Sequence, residues 1–205
     1  MAMRAWWSLV GLGVLAGCGS GGGGNPGDAG GGCTQAGKTP PNLVENYGFE
    51  CGGDSPAEWT AVYGALEFPS GDAKSGARAA KLTADAQGGR FAYAKDLVSN
   101  GGTATYCVTA WVKGSAPFMR LRVLRDDGGG GFTSFDFNSP VPRVWERVPP
   151  SITVKVPNEN KPKLQLVFEV QTNRTDGQNA MPGDTLLVDD VDAWASPSGN
   201  CDEAR

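Results

Sequence analysis

The chain has 205 residues, of which 31 are glycine and none is histidine, with a formal net charge of −4. That length suffices for one ordinary domain with a core of its own. The lack of histidine excludes Ser-His-Asp and Cys-His nucleophilic sites and any histidine metal ligand, and the mildly acidic balance offers no electrostatic footprint for nucleic acid.

The first predicted element is a targeting segment. Arg4 precedes an apolar run from Ala5 to Leu15, too short to cross a bilayer and of the length of a signal-peptide core. Trp6 and Trp7 belong to that segment and not to the fold. The run ends in Leu15-Ala16-Gly17-Cys18, which resembles the lipobox of bacterial lipoproteins. The resemblance implies lipidation of Cys18 as the first mature residue and attachment to the membrane; an ordinary secretory signal that happens to contain a cysteine is the alternative. Gly19 stands where an aspartate would signal inner-membrane retention, which favours the outer membrane. Residues 19–32, GSGGGGNPGDAGGG, hold no apolar side chain larger than alanine and read as a flexible tether spanning roughly 20 Å. The expected organisation is a signal peptide over 1–17, an anchored glycine-rich linker over 18–41 and a head over 42–205.

From Asn42 onward, short alternating runs separated by glycine, proline and asparagine predict an all-β sandwich or barrel. In RFAYAKDLV, Tyr93 shares parity with Leu97 and is expected in the core. TYCVTAWVKG places Tyr106, Val108, Ala110 and Val112 on one face and Cys107, Thr109 and Trp111 on the other. MRLRVL sets Met119, Leu121 and Val123 against Arg120 and Arg122; SITVKV groups Ile152, Val154 and Val156. KLQLVFEV sets Leu164, Leu166, Phe168 and Val170 against Gln165 and Glu169, and DTLLVDDVDAW supplies the last strand. Prolines and glycines interrupt every helical candidate. RDDGGGGF, residues 125–132, lacks the pattern of a phosphate loop and reads as a hairpin turn. The sequon at Asn173 carries little weight in a bacterial lipoprotein.

Four cysteines follow Cys18: Cys33, Cys51, Cys107 and Cys201. An even number in an exported chain predicts two disulfides, while a four-cysteine zinc site is disfavoured because no C-x2-C pair occurs. Cys33 and Cys201 bracket the head, so the expected pairing is Cys33–Cys201 with Cys51–Cys107.

NLVENYGFE (Asn42 to Glu50), Trp59, KSGARAAKL (Lys74 to Leu82), TYCVTAWVKG, Trp145 and LLVDDV (Leu186 to Val191) occur in that order. Together they resemble the carbohydrate-binding modules of the CenC type, the galactose-binding-like β-jelly rolls of cellulases and xylanases, over about Asn42 to Trp194. The resemblance implies a β-sandwich jelly roll that binds polysaccharide without catalysis, and a core position for Trp59. It also implies a structural calcium where the first strand, a loop and the last strand meet. Glu50 and Asp189 would be its ligands, with Asp190 the weaker candidate. Such an ion would offset the cost of two adjacent carboxylates in an apolar strand. The alternative is that Asp189 caps backbone amides while Asp190 points to water.

For the binding site, a hairpin of residues 103–113 and 118–126 through Gly114-Ser115-Ala116-Pro117 would gather Thr109, Trp111, Arg120 and Arg122 on one face. Residues 163–171 could add Gln165, Glu169 and Gln171. An aromatic plate beside hydrogen-bonding groups suits a sugar, with Trp111 as the stacking platform. A solvated sheet face is the bland alternative. Trp145 fits either core edge or loop rim, and Trp194 is expected to pack near Cys33–Cys201. No pair of carboxylates stands out as a glycosidase acid and base. Two function classes follow: a polysaccharide-capturing surface lipoprotein, or a structural or protein-interaction lipoprotein that uses the jelly roll as a scaffold.

Overall fold

The computed structural model describes residues 41–51, 58–93, 104–126, 132–156 and 163–201. The signal peptide, Cys18, the tether and Cys33 lie outside the described residues. Among these residues the chain forms strands and no helix: β1 (Trp59–Tyr63), β2 (Ala65–Glu67), β3 (Ala80–Thr83), β4 (Gly89–Tyr93), β5 (Ala104–Gly114), β6 (Phe118–Asp126), β7 (Phe132–Pro140), β8 (Glu146–Val156), β9 (Lys163–Val170) and β10 (Thr185–Ser196). They make two five-stranded sheets, the first ordered β1-β4-β9-β6-β7 and the second β2-β3-β10-β5-β8. Every pairing is antiparallel. The fold is an all-β sandwich of jelly-roll type.

The period-two patterns pack the two inner faces together. Val108, Ala110 and Val112 of β5 meet Leu121 and Val123 of β6, Leu164, Leu166 and Phe168 of β9, and Leu186 and Val188 of β10 in one buried cluster. Trp59 fills the middle of an aromatic group, with ring centroids 5.0 Å from Tyr93, 5.2 Å from Phe49 and 5.7 Å from Phe91. Trp59 and Tyr93 are core residues, as the sequence indicates. The first segment of the head, which carries Glu50, forms turns and not a strand, with Asn46 and Phe49 at positive φ.

Consecutive strands often change sheets. Between β1 and β2 the change turns on Gly64, at φ 77°, where an added Cβ would lie 2.7 Å from the Thr83 carbonyl oxygen; a side chain there is excluded both by conformation and by space. The link from β5 to β6 also crosses. β5 lies in the second sheet and β6 in the first, so the expected hairpin through Gly114–Pro117 does not form. The amides of Ser115 and Ala116 donate to the Thr185 carbonyl on β10 instead, at 3.0 Å each. β6 pairs with the next strand in the chain, β7, in register from Phe118↔Pro140 to Asp126↔Phe132; the glycine run between them, 128–131, lies outside the described residues. The prolines at 149 and 150 sit in an irregularity of β8, an edge strand, where a missing N–H costs least.

The disulfide pairing differs from expectation. Cys107 bonds Cys201, with Cα atoms 5.5 Å apart, and Cys51 is itself disulfide-bonded. Neither Cys33–Cys201 nor Cys51–Cys107 is therefore present. The physical reason is adjacency: β5 pairs with β10, bringing Cys107 opposite Trp194, and the chain returns to it soon after β10 ends. Bracketing the domain in sequence says nothing of that neighbourhood. Trp194 packs against Cys107 and Cys201 in a small buried cluster on the outer side of the second sheet.

Candidate functional site

The outer face of the first sheet carries a line of polar groups drawn from all five strands. β9 and β6 pair in register, so Glu169 lies opposite Arg120, Val167 opposite Arg122 and Gln165 opposite Leu124. On the other side of β6, Asn138 lies opposite Arg120 and Asp136 opposite Arg122. β4 adds Arg90 opposite Glu169, and β1 adds Tyr63 opposite Arg90. Arg120, Arg122, Gln165 and Glu169 thus share one face, as the alternation predicts.

The groups along this line bond to one another. Glu169, almost wholly buried, accepts from Arg120 Nη2 at 2.7 Å and Nε at 3.2 Å, and from the Tyr63 hydroxyl at 3.0 Å. Arg122 grips Asp136 through two parallel bonds of 2.9 and 2.8 Å, the bidentate geometry that a guanidinium favours. With its amide turned to satisfy both groups, Gln171 accepts from Arg120 at 3.2 and 2.6 Å. Burial and the Glu169 charge both push the Tyr63 hydroxyl above its ordinary pKa, so it stays a donor. Burial opposes ionised Asp136, but hydrogen bonds from Arg122 and Ser134 outweigh it and hold the carboxyl below the usual range. A glycosidase acid needs the opposite shift.

Trp111 is not part of this face. It stands half-buried on the outer side of the second sheet, between Asp189 of β10 and Arg147 of β8. The alternation along β5 and β6 holds, but the two strands lie in different sheets: the β5–β6 crossover carries Arg120 and Arg122 to the opposite side of the sandwich from Trp111. The face missed by sequence reading includes Tyr63, Arg90 and Asp136. FTSFDFNSP does alternate, with Phe135 and Phe137 packed on the core against Ser134, Asp136 and Asn138 outward, and that was the available signal for β7.

The adjacent aspartates have a local explanation. Between Asp189↔Trp111 and Asp192↔Thr109, β10 advances three residues while β5 advances two. Asp190 is the additional residue of a β-bulge, at φ 45°. The bulge resets parity, so Leu186 and Val188 before it and Val191 and Ala193 after it all reach the core. Asp189 is fully buried and its Oδ2 accepts from the amides of Lys74 at 2.7 Å and Ser75 at 3.1 Å. Asp190 Oδ1 accepts from the Ser75 hydroxyl at 2.7 Å, so it is engaged with the same loop and does not simply face water. Glu50 holds that loop from its other end, accepting from the amides of Ala77 at 2.7 Å and Arg78 at 2.9 Å. A Cβ on Gly76 would meet Glu50 Oε1 at 2.3 Å. Burial first, and the Asp190 charge second, raise the pKa of Asp189 to about 7 despite its amide bonds. The three carboxylates supply the oxygen donors a hard cation prefers, yet among the described residues no group of three or more His, Cys, Asp or Glu is arranged to hold a metal ion.

No family model matches the chain, and no curated protein matches it. Solved structures do. Family 16 Carbohydrate Binding Module-2 superposes with a TM-score of 0.53 at 14% identity, covering 74% of this chain and 99% of that one. The CBM22-1 xylan-binding domain of Paenibacillus barcinonensis Xyn10C gives 0.50 at 19% identity, covering 73% and 91%. The enzymatically active domain of tailspike protein 4 from bacteriophage CBA120 gives 0.57 at 14% identity, covering 76% of this chain but 21% of that one. At these identities the likeness is one of fold: the head has the jelly roll of carbohydrate-binding modules.

Proposed function

We propose that the head binds polysaccharide, without catalysis, on the outer face of the first sheet. The observation that supports this most directly is the line of hydrogen-bonding groups running across all five strands, Tyr63, Arg90, Glu169, Arg120, Arg122 and Asp136. A sugar chain lying across the strands would meet donors and acceptors at successive positions, with Gln165 and Gln171 beside them. Mutual ion pairing pre-orders these long side chains, which lowers the entropy cost of presenting them to a ligand. The whole-module extent of the match to binding domains, and its small share of the tailspike chain, favour the binding reading over the enzymatic one.

Retention of the full chain on immobilised polysaccharides and on a broad glycan array tests this. Arg122→Ala, on the exposed side of the line, should weaken binding roughly tenfold or more with the fold intact. A folded chain that retains no glycan would overturn the reading in favour of the scaffold alternative, which the self-paired face also suits.

Two further elements belong to the same proposal. Lipidation at Cys18 would hold the head at the outer membrane, and Cys18→Ser in the native host should then release it from the membrane fraction. Calcium at Glu50 and Asp189, with Asp190 beside them, is favoured by the oxygen-only donor set and by the raised proton affinity of Asp189, which a cation would relieve.

A further inference from the structure

The second sheet has an outer face of its own, and its upper half is chemically unlike the first. Trp111 and Lys113 point outward from β5 at alternate positions. The Lys74 ammonium sits 4.4 Å from the centre of the Trp111 ring, and the Lys113 ammonium 5.0 Å from the centre of the Trp145 ring. Arg147 lies opposite Trp111 on β8, its Nε donating to the Thr109 hydroxyl at 3.2 Å. Both indoles are half-buried, and Lys74 and Arg147 are exposed. Lys113 is ion-paired with Asp72. Lys74 and Arg147 have no carboxylate partner among the described residues.

We infer that this patch is a second ligand site, distinct from the line on the first sheet, and that it takes an acidic polysaccharide. Both indoles are half-buried with an ammonium over the ring, and the ring surface left open offers apolar contact to the C–H groups of a sugar. Lys74 and Arg147 beside Trp111, with no carboxylate partner among the described residues, offer charge-assisted bonds to a carboxylate on the same ring. A neutral sugar would use the plates and leave Lys74 and Arg147 unanswered. A free small anion would use the cations and leave the indoles idle. A uronic acid residue within a polymer uses both. The two faces lie on opposite sides of one sandwich, so the head could hold two chains at once.

The test measures binding of the full chain to polygalacturonate and to the same polymer with its carboxylates reduced to alcohols. Polygalacturonate should bind at least about tenfold more tightly, with an advantage that shrinks as salt is raised. Lys74→Ala combined with Arg147→Ala should erase that preference. Trp145→Ala should weaken both polymers. Melting temperature checks that each variant folds. Equal binding of the two polymers would overturn the inference, as would loss of polygalacturonate binding in Arg122→Ala but not in Trp145→Ala. Binding to vesicles of phosphatidylglycerol with no retention of polygalacturonate would reassign the patch to the membrane. Failure of the first-sheet reading is separate: it shows as absence of neutral-glycan binding that depends on Arg122.

Discussion

The two outer faces of this sandwich handle polar groups in different ways. On the first sheet, charges lie side by side across the outer face and satisfy one another laterally: Glu169 with Arg120 and Tyr63, Asp136 with Arg122. On the second sheet, polar groups are roofed over. The loop at 74–78 covers Asp189, and the segment ending at Cys201 covers Cys107 and Trp194. The Trp111 end is left open, with cations over its rings. A flat strand face thus becomes either a binding surface or a buried layer according to whether a loop comes back over it.

Breaking the covalent part of the roof should have the largest effect. Cys107 and Cys201 are 94 residues apart, and a link closing a loop of that size stabilises by up to about 5 kcal/mol in the chain-entropy model. Replacing both by alanine should lower the denaturation midpoint strongly; a shift below about 1 kcal/mol would mean that packing around Trp194 alone holds the segment down. On the first sheet the comparable break is Glu169→Ala. It leaves the Arg120 guanidinium without its nearest carboxylate in a mostly covered position, and removal of one partner from such a pair costs about 3 kcal/mol. Equilibrium denaturation reads this directly, and an effect near zero would show that solvent already reaches the pair.

The buried acid under the loop gives the next test. Asp189 has its pKa raised from 3.8 to about 7, so between those values the folded chain holds a proton that the unfolded chain has released. Stability from this group is therefore full at the acid end and lost as pH rises toward 7, with no further change above it. Asp189→Asn should flatten that part of the stability profile. Calcium, by compensating the ionised form, should raise the melting temperature at neutral pH and chelator should lower it. A melting curve indifferent to both would leave the Lys74 and Ser75 amides as the whole support of Asp189. The smallest effect belongs to the exposed pair of Lys81 and Glu67, 3.5 Å apart on the second sheet. Lys81→Ala should cost less than about 1 kcal/mol, and a larger loss would show that exposed pairs here do more than Coulomb attraction in water allows.

The pattern of the chain alone carries the fold class, the inward residues of β5, β6, β8 and β9, and the joint outward placement of Arg120, Arg122, Gln165 and Glu169. Alternation is a local property, set by successive side chains pointing to opposite sides of one strand, so Val108, Val112, Leu121 and Phe168 could be placed without knowing their neighbours. What joins what is not local. Gly114–Pro117 is as short as a hairpin loop, and only the packing of β6 beside β9 made it a crossover that put Trp111 and Arg120 on opposite sides of the sandwich. Cys107 found Cys201 because β5 and β10 are adjacent strands, a fact of sheet order that cysteine spacing does not encode. Asp190 reads in sequence as one more strand residue; its role as the additional residue of a bulge exists only against the register of β5. Parity is written in the chain one residue at a time, whereas pairing is a choice among distant partners that the collapsed core makes once for all of them.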